Sequence, residues 1–108
     1  MTTTPAHIVV TGAAGKAGRA AVADLLEHGY RVLATDLTPP PDGIGTAYLR
    51  ADLTDHGQVV DVLDGADAVV HLANIPAPGL RPAARTLTEN TTMNAHVFLA
   101  AQTLALRK

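Results

Sequence analysis

Apolar residues recur along this chain in two rhythms. Ile8-Val9-Val10, Val32-Leu33-Ala34 and Ala68-Val69-Val70 are short unbroken runs rich in β-branched residues. Such runs favour strands, and the lack of polar alternation suits parallel strands buried on both faces. Between them lie longer segments with apolar positions three or four apart. The first holds Ala20, Val22, Ala23, Leu25 and Leu26, and the second Val59, Val60, Val62 and Leu63. The third holds Leu87, Met93, Val97, Leu99, Ala100 and Leu104. These are helical stripes. The pattern predicts a frayed leader over residues 1–6, then a strand over 7–12 and a helix from Lys16 to about His28. A strand over 30–36 follows, and then a third strand from Thr46 that runs into a helix cap by Asp55. A helix over 56–63, a strand over 68–74 and a helix from about Thr86 to Lys108 complete the chain.

The punctuation agrees with this order. Gly29 stops the first helix at its C′ position. Thr38-Pro39-Pro40-Pro41-Asp42-Gly43-Ile44-Gly45 cannot be helical, because proline lacks the amide donor and glycine is too mobile, so it is a long loop. Asp55 can cap the second helix. Ile75-Pro76-Ala77-Pro78-Gly79-Leu80-Arg81-Pro82 is a second Pro-rich loop.

The candidate chemistry sits where the first strand meets the first helix. Gly12, Gly15 and Gly18 are spaced three apart in Thr11-Gly12-Ala13-Ala14-Gly15-Lys16-Ala17-Gly18. Gly12 permits a sharp turn, Gly15 lets a diphosphate approach the backbone, and Gly18 lets the helix pack close to the strand. The first amides of a helix have no intrahelical partner and carry partial positive charge. The amides of Lys16 and Ala17 therefore point at a pyrophosphate. A cation in the first turn opposes the dipole by roughly 0.3–1 kcal/mol, which a bound anion offsets. The alternative is that Lys16 is only a solvated side chain.

Asp36 ends the second strand 18 residues after the last of these glycines. A carboxylate there can accept from both adenosine ribose hydroxyls of NAD and would repel the extra phosphate of NADP. Arg19 and Arg31 are counter-signals for NADP, and an Asp at a strand end also serves as a turn residue. NAD is the expected cofactor, with NADP second.

Composition narrows the function classes. Apolar residues make up 47% of 108 residues, enough for one domain over 1–108, but aromatics are only 3%, so Ala, Val and Leu build the core. A net charge of −2 does not suggest a nucleic-acid binder. There is no cysteine, which excludes disulfides and thiolate metal sites, and no serine, which excludes a Ser-His-Asp hydrolase. The five histidines are scattered with no i, i+4 pair, so no metal site is expected. No apolar stretch reaches membrane-spanning length and residues 1–5 have no signal-peptide pattern, so a cytoplasmic protein without membrane contact is expected.

The Gly-x-x-Gly-x-x-Gly spacing resembles the short-chain dehydrogenase/reductase superfamily, and the full turn is similar to its extended branch, the NAD-dependent epimerase/dehydratase family. Three later segments extend the resemblance: Ala51-Asp52-Leu53-Thr54-Asp55, Val69-Val70-His71-Leu72-Ala73-Asn74, and the helix of Asn90, Met93, Asn94, Val97 and Ala100. It implies an α/β Rossmann-like parallel sheet of strand order 3-2-1-4, with right-handed crossovers and helices on both faces, truncated after the fourth strand and its helix. It also implies that Asp52 and Leu53 line the adenine pocket and that Leu72, Ala73 and Asn74 pass beneath the nicotinamide ribose. Asn74 departs from the usual small residue and either meets that ribose or crowds it. Asn90 matches the Asn that orders its helix and the water of the catalytic lysine. Met93 and Asn94 replace the usual Gly and Thr, which weakens close helix packing there. His71 reads first as a hydrogen-bonded core histidine and second as a catalytic one. Arg81 and Arg85 meet an anionic substrate group or are solvated.

In this family catalysis uses a Tyr-x-x-x-Lys pair. Here Ala34 follows Tyr30 by four residues and Asp52 follows Tyr48 by four, so no catalytic residue is assigned and the chain alone is expected to be inactive. The reading is the cofactor-binding part of an epimerase, dehydratase or sugar dehydrogenase, acting in the complete protein on a sugar or nucleotide sugar. The alternatives are a non-catalytic NAD-binding or redox-sensing module, and a partner-binding module. The apolar fourth strand, left as an edge, predicts a homo-oligomer through Ala68–Asn74.

Overall fold

The computed structural model describes residues 6–73 and 83–107. The elements in chain order are β1 (His7–Thr11), α1 (Lys16–Glu27), β2 (Arg31–Asp36), β3 (Ala47–Arg50), α2 (His56–Leu63), β4 (Ala68–His71) and α3 (Ala83–Thr103). The four strands form one sheet in the order β3-β2-β1-β4, all parallel, as the sequence predicts. Val10 lies opposite Ala34 on β2 and Val70 on β4.

The unbroken apolar runs are explained by covering on both faces. Val9 and Val10 are each fully buried yet point to opposite sides. Val10 packs with Val32, Ala34, Ala13 and Val22 under α1. Val9 packs with Leu53, Val59, Val62, Leu63, Val97 and Ala100 under α2 and α3.

The face that α1 buries differs in part from the one its apolar residues suggest. Gly18 and Val22 are buried and Ala21, Leu25 and Leu26 partly so, whereas Ala17, Ala20 and Ala23 are exposed. The stripe 18–21–22–25 keeps the helical period, and the alanines off it are too small to compete for the buried side. Gly29 ends α1 as expected: at φ +86° its amide donates to Leu26 O while the Tyr30 amide donates to Leu25 O. Asp55 caps α2, its side chain accepting from the Gln58 amide. The Gln58 side-chain amide above all, and then that backbone hydrogen bond, hold the Asp55 carboxyl below the usual range.

β4 spans Ala68–His71, shorter than the 68–74 expected, and α3 is shifted relative to expectation. α3 spans 83–103 instead of running on to Lys108, which lies outside the described residues. Ala105 adopts φ +57°, with its amide on Gln102 O and that of Leu106 on Ala101 O. This is a left-handed cap made without glycine, at a cost of about 1 kcal/mol. Two gains offset it. Leu104 and Leu106 pack against the Val97 side of the core, and the Arg107 amide donates to Asp67 O at 2.8 Å. Asp67 also accepts from the His7 amide (2.8 Å) and pairs with Arg107 Nη2 (3.2 Å). The His7 amide above all, and Arg107 after it, hold its carboxyl below the usual range. The start of β1, the start of β4 and the tail after α3 are thus tied at one corner.

Among the described residues, Leu63 is the largest fully buried side chain. Leu63→Ala is expected to lower the unfolding free energy by about 2–5 kcal/mol in urea titrations. Leu87→Ala, at a site 69% exposed, is expected to change it by less than about 0.5 kcal/mol.

Candidate functional site

Because all strands run in parallel, their C-terminal ends share one edge of the sheet. β1 has its sequence neighbour β2 on one side and β4 on the other, so the order reverses beside it, and ligands of open α/β sheets bind at such a point. Gly12 leaves β1 there.

The three glycines do different work. Gly12 has φ +68°, and a Cβ on it would lie 2.7 Å from the Leu72 carbonyl carbon and 2.8 Å from the Ala73 nitrogen. A Cβ on Gly18 would lie 2.1 Å from Gly12 O. Those two positions let three stretches of backbone touch. Gly15 is different: its φ is −77°, and a Cβ would meet only Gly12 O, at 3.4 Å. Neither the turn nor its packing requires glycine at 15.

Gly15 is the N-cap of α1 and offers no side-chain cap. Its amide donates to Gly12 O and its carbonyl accepts from the Arg19 amide. The amides of Lys16, Ala17 and Gly18 have no acceptor among the described residues, and no acid lies in the first turn. Lys16 and Ala17 are exposed, so their amides open onto the edge.

Asp36 is brought beside this turn. Its Oδ2 accepts from the Ala14 amide (3.0 Å) and its Oδ1 from the Leu37 amide (2.7 Å). Each oxygen keeps a lone pair, and the side chain is half-buried. Of the two arginines weighed against NAD, Arg31 opens β2 at the far end from Asp36, and Arg19 is exposed on α1. The cation opposite Asp36 in the sheet is Arg50 on β3, which sequence reasoning missed. Its Nε and Nη2 both donate to Leu37 O at 3.2 Å, and the Tyr48 hydroxyl donates to Thr38 O at 2.8 Å. These two β3 side chains hold the backbone that follows Asp36. Burial, and then the Asp36 charge, push the Tyr48 phenol above its ordinary pKa.

Asp52 bends over its own loop, its Oδ1 accepting from the Thr54 amide (2.9 Å) and hydroxyl (2.6 Å). Its Oδ2 accepts nothing among the described residues. The Leu53 side chain is 5% exposed and packed in the core, so its backbone is what it can present. The Leu53 carbonyl accepts from His96 Nδ1 at 2.8 Å, and its amide has no acceptor among the described residues.

At the end of β4, Thr11 Oγ1 accepts from the amides of Leu72 (3.0 Å) and Ala73 (3.1 Å). The same oxygen is 2.7 Å from His71 Nδ1, and His71 Nε2 is 2.8 Å from Asn94 Oδ1 on α3. His71 therefore stands as the hydrogen-bonded histidine of the first reading. Asn94, where the family has Thr, makes a specific contact across to β4. Asn90 lies half-buried one turn before it on α3. Arg85 pairs with Glu89 at 2.7 Å on the exposed side of α3, in line with a solvated role. Asn74 and Arg81 lie outside the described residues. Among the described residues no group of His, Asp and Glu could hold a metal, and no helix is long and apolar enough to cross a membrane.

Residues 8–108 match the profile of the NAD dependent epimerase/dehydratase family. The chain belongs to this family. It is 38% identical over 66 residues to 2-alkyl-3-oxoalkanoate reductase of Stenotrophomonas maltophilia, covering 59% of this chain and 20% of that protein. A short-chain dehydrogenase/reductase superfamily protein from Agrobacterium tumefaciens, solved with bound NAD, superposes with a TM-score of 0.81 at 32% identity. That match covers 94% of this chain and 30% of the other. A mutant uronate dehydrogenase from the same organism, complexed with NAD, superposes with a TM-score of 0.78 at 29% identity, covering 93% and 37%. The chain spans about a fifth of the length of the curated relatives it matches. What it carries is the dinucleotide-binding portion of the family's fold.

The glycine geometry sets a stability contrast. Gly18→Ala is expected to melt several degrees lower by circular dichroism, because its methyl meets backbone at 2.1 Å. Gly15→Ala is expected to melt near the parent.

Proposed function

We propose that this chain binds NAD across the C-terminal edge of its sheet, as the cofactor-holding part of an oxidoreductase of the epimerase/dehydratase family. The observation that carries the reading is Gly15. Neither backbone strain nor internal contact asks for glycine there, and the bare N-cap leaves the backbone open to close approach by a ligand. A pyrophosphate on the Lys16 and Ala17 amides fills that role, favoured by the dipole and by direct N–H donation. Ala13 and Gly12 are held by the sheet, so the cradle is rigid.

The rest of the dinucleotide follows from complementarity. The Asp36 carboxylate has lone pairs for the two adenosine ribose hydroxyls, and its negative charge favours NAD over NADP. Adenine offers an acceptor at N1 beside a donor at its amino group. The Leu53 amide and Asp52 Oδ2 are the matching donor and acceptor. Leu72 and Ala73 then lie beneath the nicotinamide ribose, with Asn74 following, and Asn90 is nearby on α3. The solved neighbours that contain NAD support a nicotinamide dinucleotide as the ligand.

NAD supplies the hydride acceptor or donor; these residues orient it. The Tyr48 hydroxyl is committed to Thr38 O, and Asp52, not a lysine, follows it by four residues. Proton transfer to a substrate, for which a sugar or nucleotide sugar is the class proposed, needs groups other than those described. The second reading, a non-catalytic NAD-binding or redox-sensing module, shares the same site and differs only in lacking hydride transfer. The reading also includes self-association through β4, which pairs with β1 on one side only among the described residues.

Isothermal titration with NAD and NADP tests the reading. Asp36→Ala is expected to weaken NAD binding by about 1–3 kcal/mol, the range for hydrogen bonds to a charged acceptor. Unaltered affinity would overturn the ribose assignment, and no heat with either dinucleotide would overturn the site.

A further inference from the structure

The Thr11–His71–Asn94 chain has a fixed proton order. A hydroxyl oxygen has two lone pairs and one proton. Thr11 Oγ1 already accepts from two amides, those of Leu72 and Ala73, so only its proton remains for His71 Nδ1, 2.7 Å away. Nδ1 must then be the acceptor, and the ring proton sits on Nε2. Nε2 donates to Asn94, which fixes the Asn94 amide with its oxygen toward the ring. Thr11 is 1% exposed, so no solvent can replace a lost partner there.

We propose that His71 is a positioning residue of the dinucleotide site: as the neutral Nε2–H tautomer it directs the Thr11 hydroxyl so that Oγ1 holds the Leu72 and Ala73 amides, and protonating the ring releases that peptide and weakens dinucleotide binding. The affinity part rests on the function proposed above. A protonated ring puts a second donor on Nδ1, aimed at an oxygen with no free lone pair. One of the three donors must leave. The Leu72 amide has a second acceptor in Thr11 O at 3.3 Å, but the Ala73 amide has none among the described residues. The Leu72–Ala73 peptide is also what Gly12 packs against without a Cβ, so its release reaches the glycine turn.

Among the described residues, no charge on the neighbouring elements compensates. The groups facing the ring are Thr11 on β1 and Asn94 and Phe98 on α3, and none titrates. Of the titratable groups on α3, Arg85 and Glu89 pair with each other and His96 is on Leu53 O. Burial lowers the His71 pKa, opposed by the Asn94 hydrogen bond. The folded state therefore prefers the neutral ring. The stability this gives is complete above the ordinary histidine pKa and is lost as pH falls from there toward the folded-state value.

Two measurements test the proposal. In ligand-free protein, long-range ¹H–¹⁵N spectra are expected to show the His71 proton on Nε2 at neutral pH. The Ala73 amide signal is expected to shift on acidification with the same midpoint as His71. A proton on Nδ1, or an Ala73 amide indifferent to that midpoint, would overturn the positioning role. Calorimetry then follows NAD affinity from about pH 7.5 to about one unit below the His71 midpoint read in those spectra, where a loss of at least about threefold is expected in the parent. His71→Gln keeps one acceptor and one donor but cannot titrate, so it is expected to bind within about threefold of the parent at neutral pH and to lose the pH dependence. Thr11→Val is expected to bind weakly at both pH values. A His71→Gln profile parallel to the parent's would refute the coupling. If the parent bound no NAD at any pH, the proposed function would fail, and the spectra alone would decide the role of His71.

Discussion

Everything at the working edge of this protein depends on backbone touching backbone around Gly12. The carbonyl of Gly12 meets the first turn of α1, and its α-carbon faces the Leu72–Ala73 peptide, at separations that leave no room for a Cβ on either Gly12 or Gly18. Close packing of this kind is stiff, because peptide groups cannot rotate away as side chains can. Its consequence is geometric. The start of α1, the end of β4 and the carboxylate of Asp36 are held within one small region, although they come from segments some sixty residues apart in the chain.

The same contact explains why helices cover both faces unequally near the site. α1 approaches the sheet through Gly18 and Val22, so one end of it lies very close to β1 while its exposed alanines face out. On the other face α2 and α3 are held off by full side chains, Leu63, Val59 and Val97, around Val9. The first face is set by the absence of side chains and the second by their volume. That asymmetry leaves a helix N-terminus, not a side-chain wall, at the edge where anions can be met.

Much of this was legible in the sequence, for physical reasons. Unbroken β-branched runs separated by helical stripes report the element types and a parallel sheet covered on both faces, while the strand order is what the family resemblance implies. The glycine spacing located the turn, and Asp36 fell at the strand end where the turn can reach it. What was not legible depended on partners distant in sequence. The length of α3 was settled by Asp67, which offers Arg107 a better arrangement than another helical turn. Arg50 looked like an ordinary strand residue until the register set it opposite Asp36. Ala20 and Ala23 carry too little apolar area for composition to tell which side they take. The clue to Thr11 was present but easily passed over: a hydroxyl at the end of a buried strand needs partners.

Asn94 shows how a departure from a family pattern can be misjudged. Read with Met93 as a departure from the family's Gly and Thr, it suggests looser packing of α3. In the structure it supplies the oxygen that the His71 ring requires, and Met93 beside it packs against the core. An amide in place of a hydroxyl thus makes a specific hydrogen bond between α3 and β4. The chemistry of the neighbour decides the sign: against an apolar surface the amide would cost desolvation, whereas against a neutral imidazole N–H it completes a chain that ends on two buried-edge amides. Through that chain a helix on one face of the sheet bears directly on the turn where β1 gives way to α1.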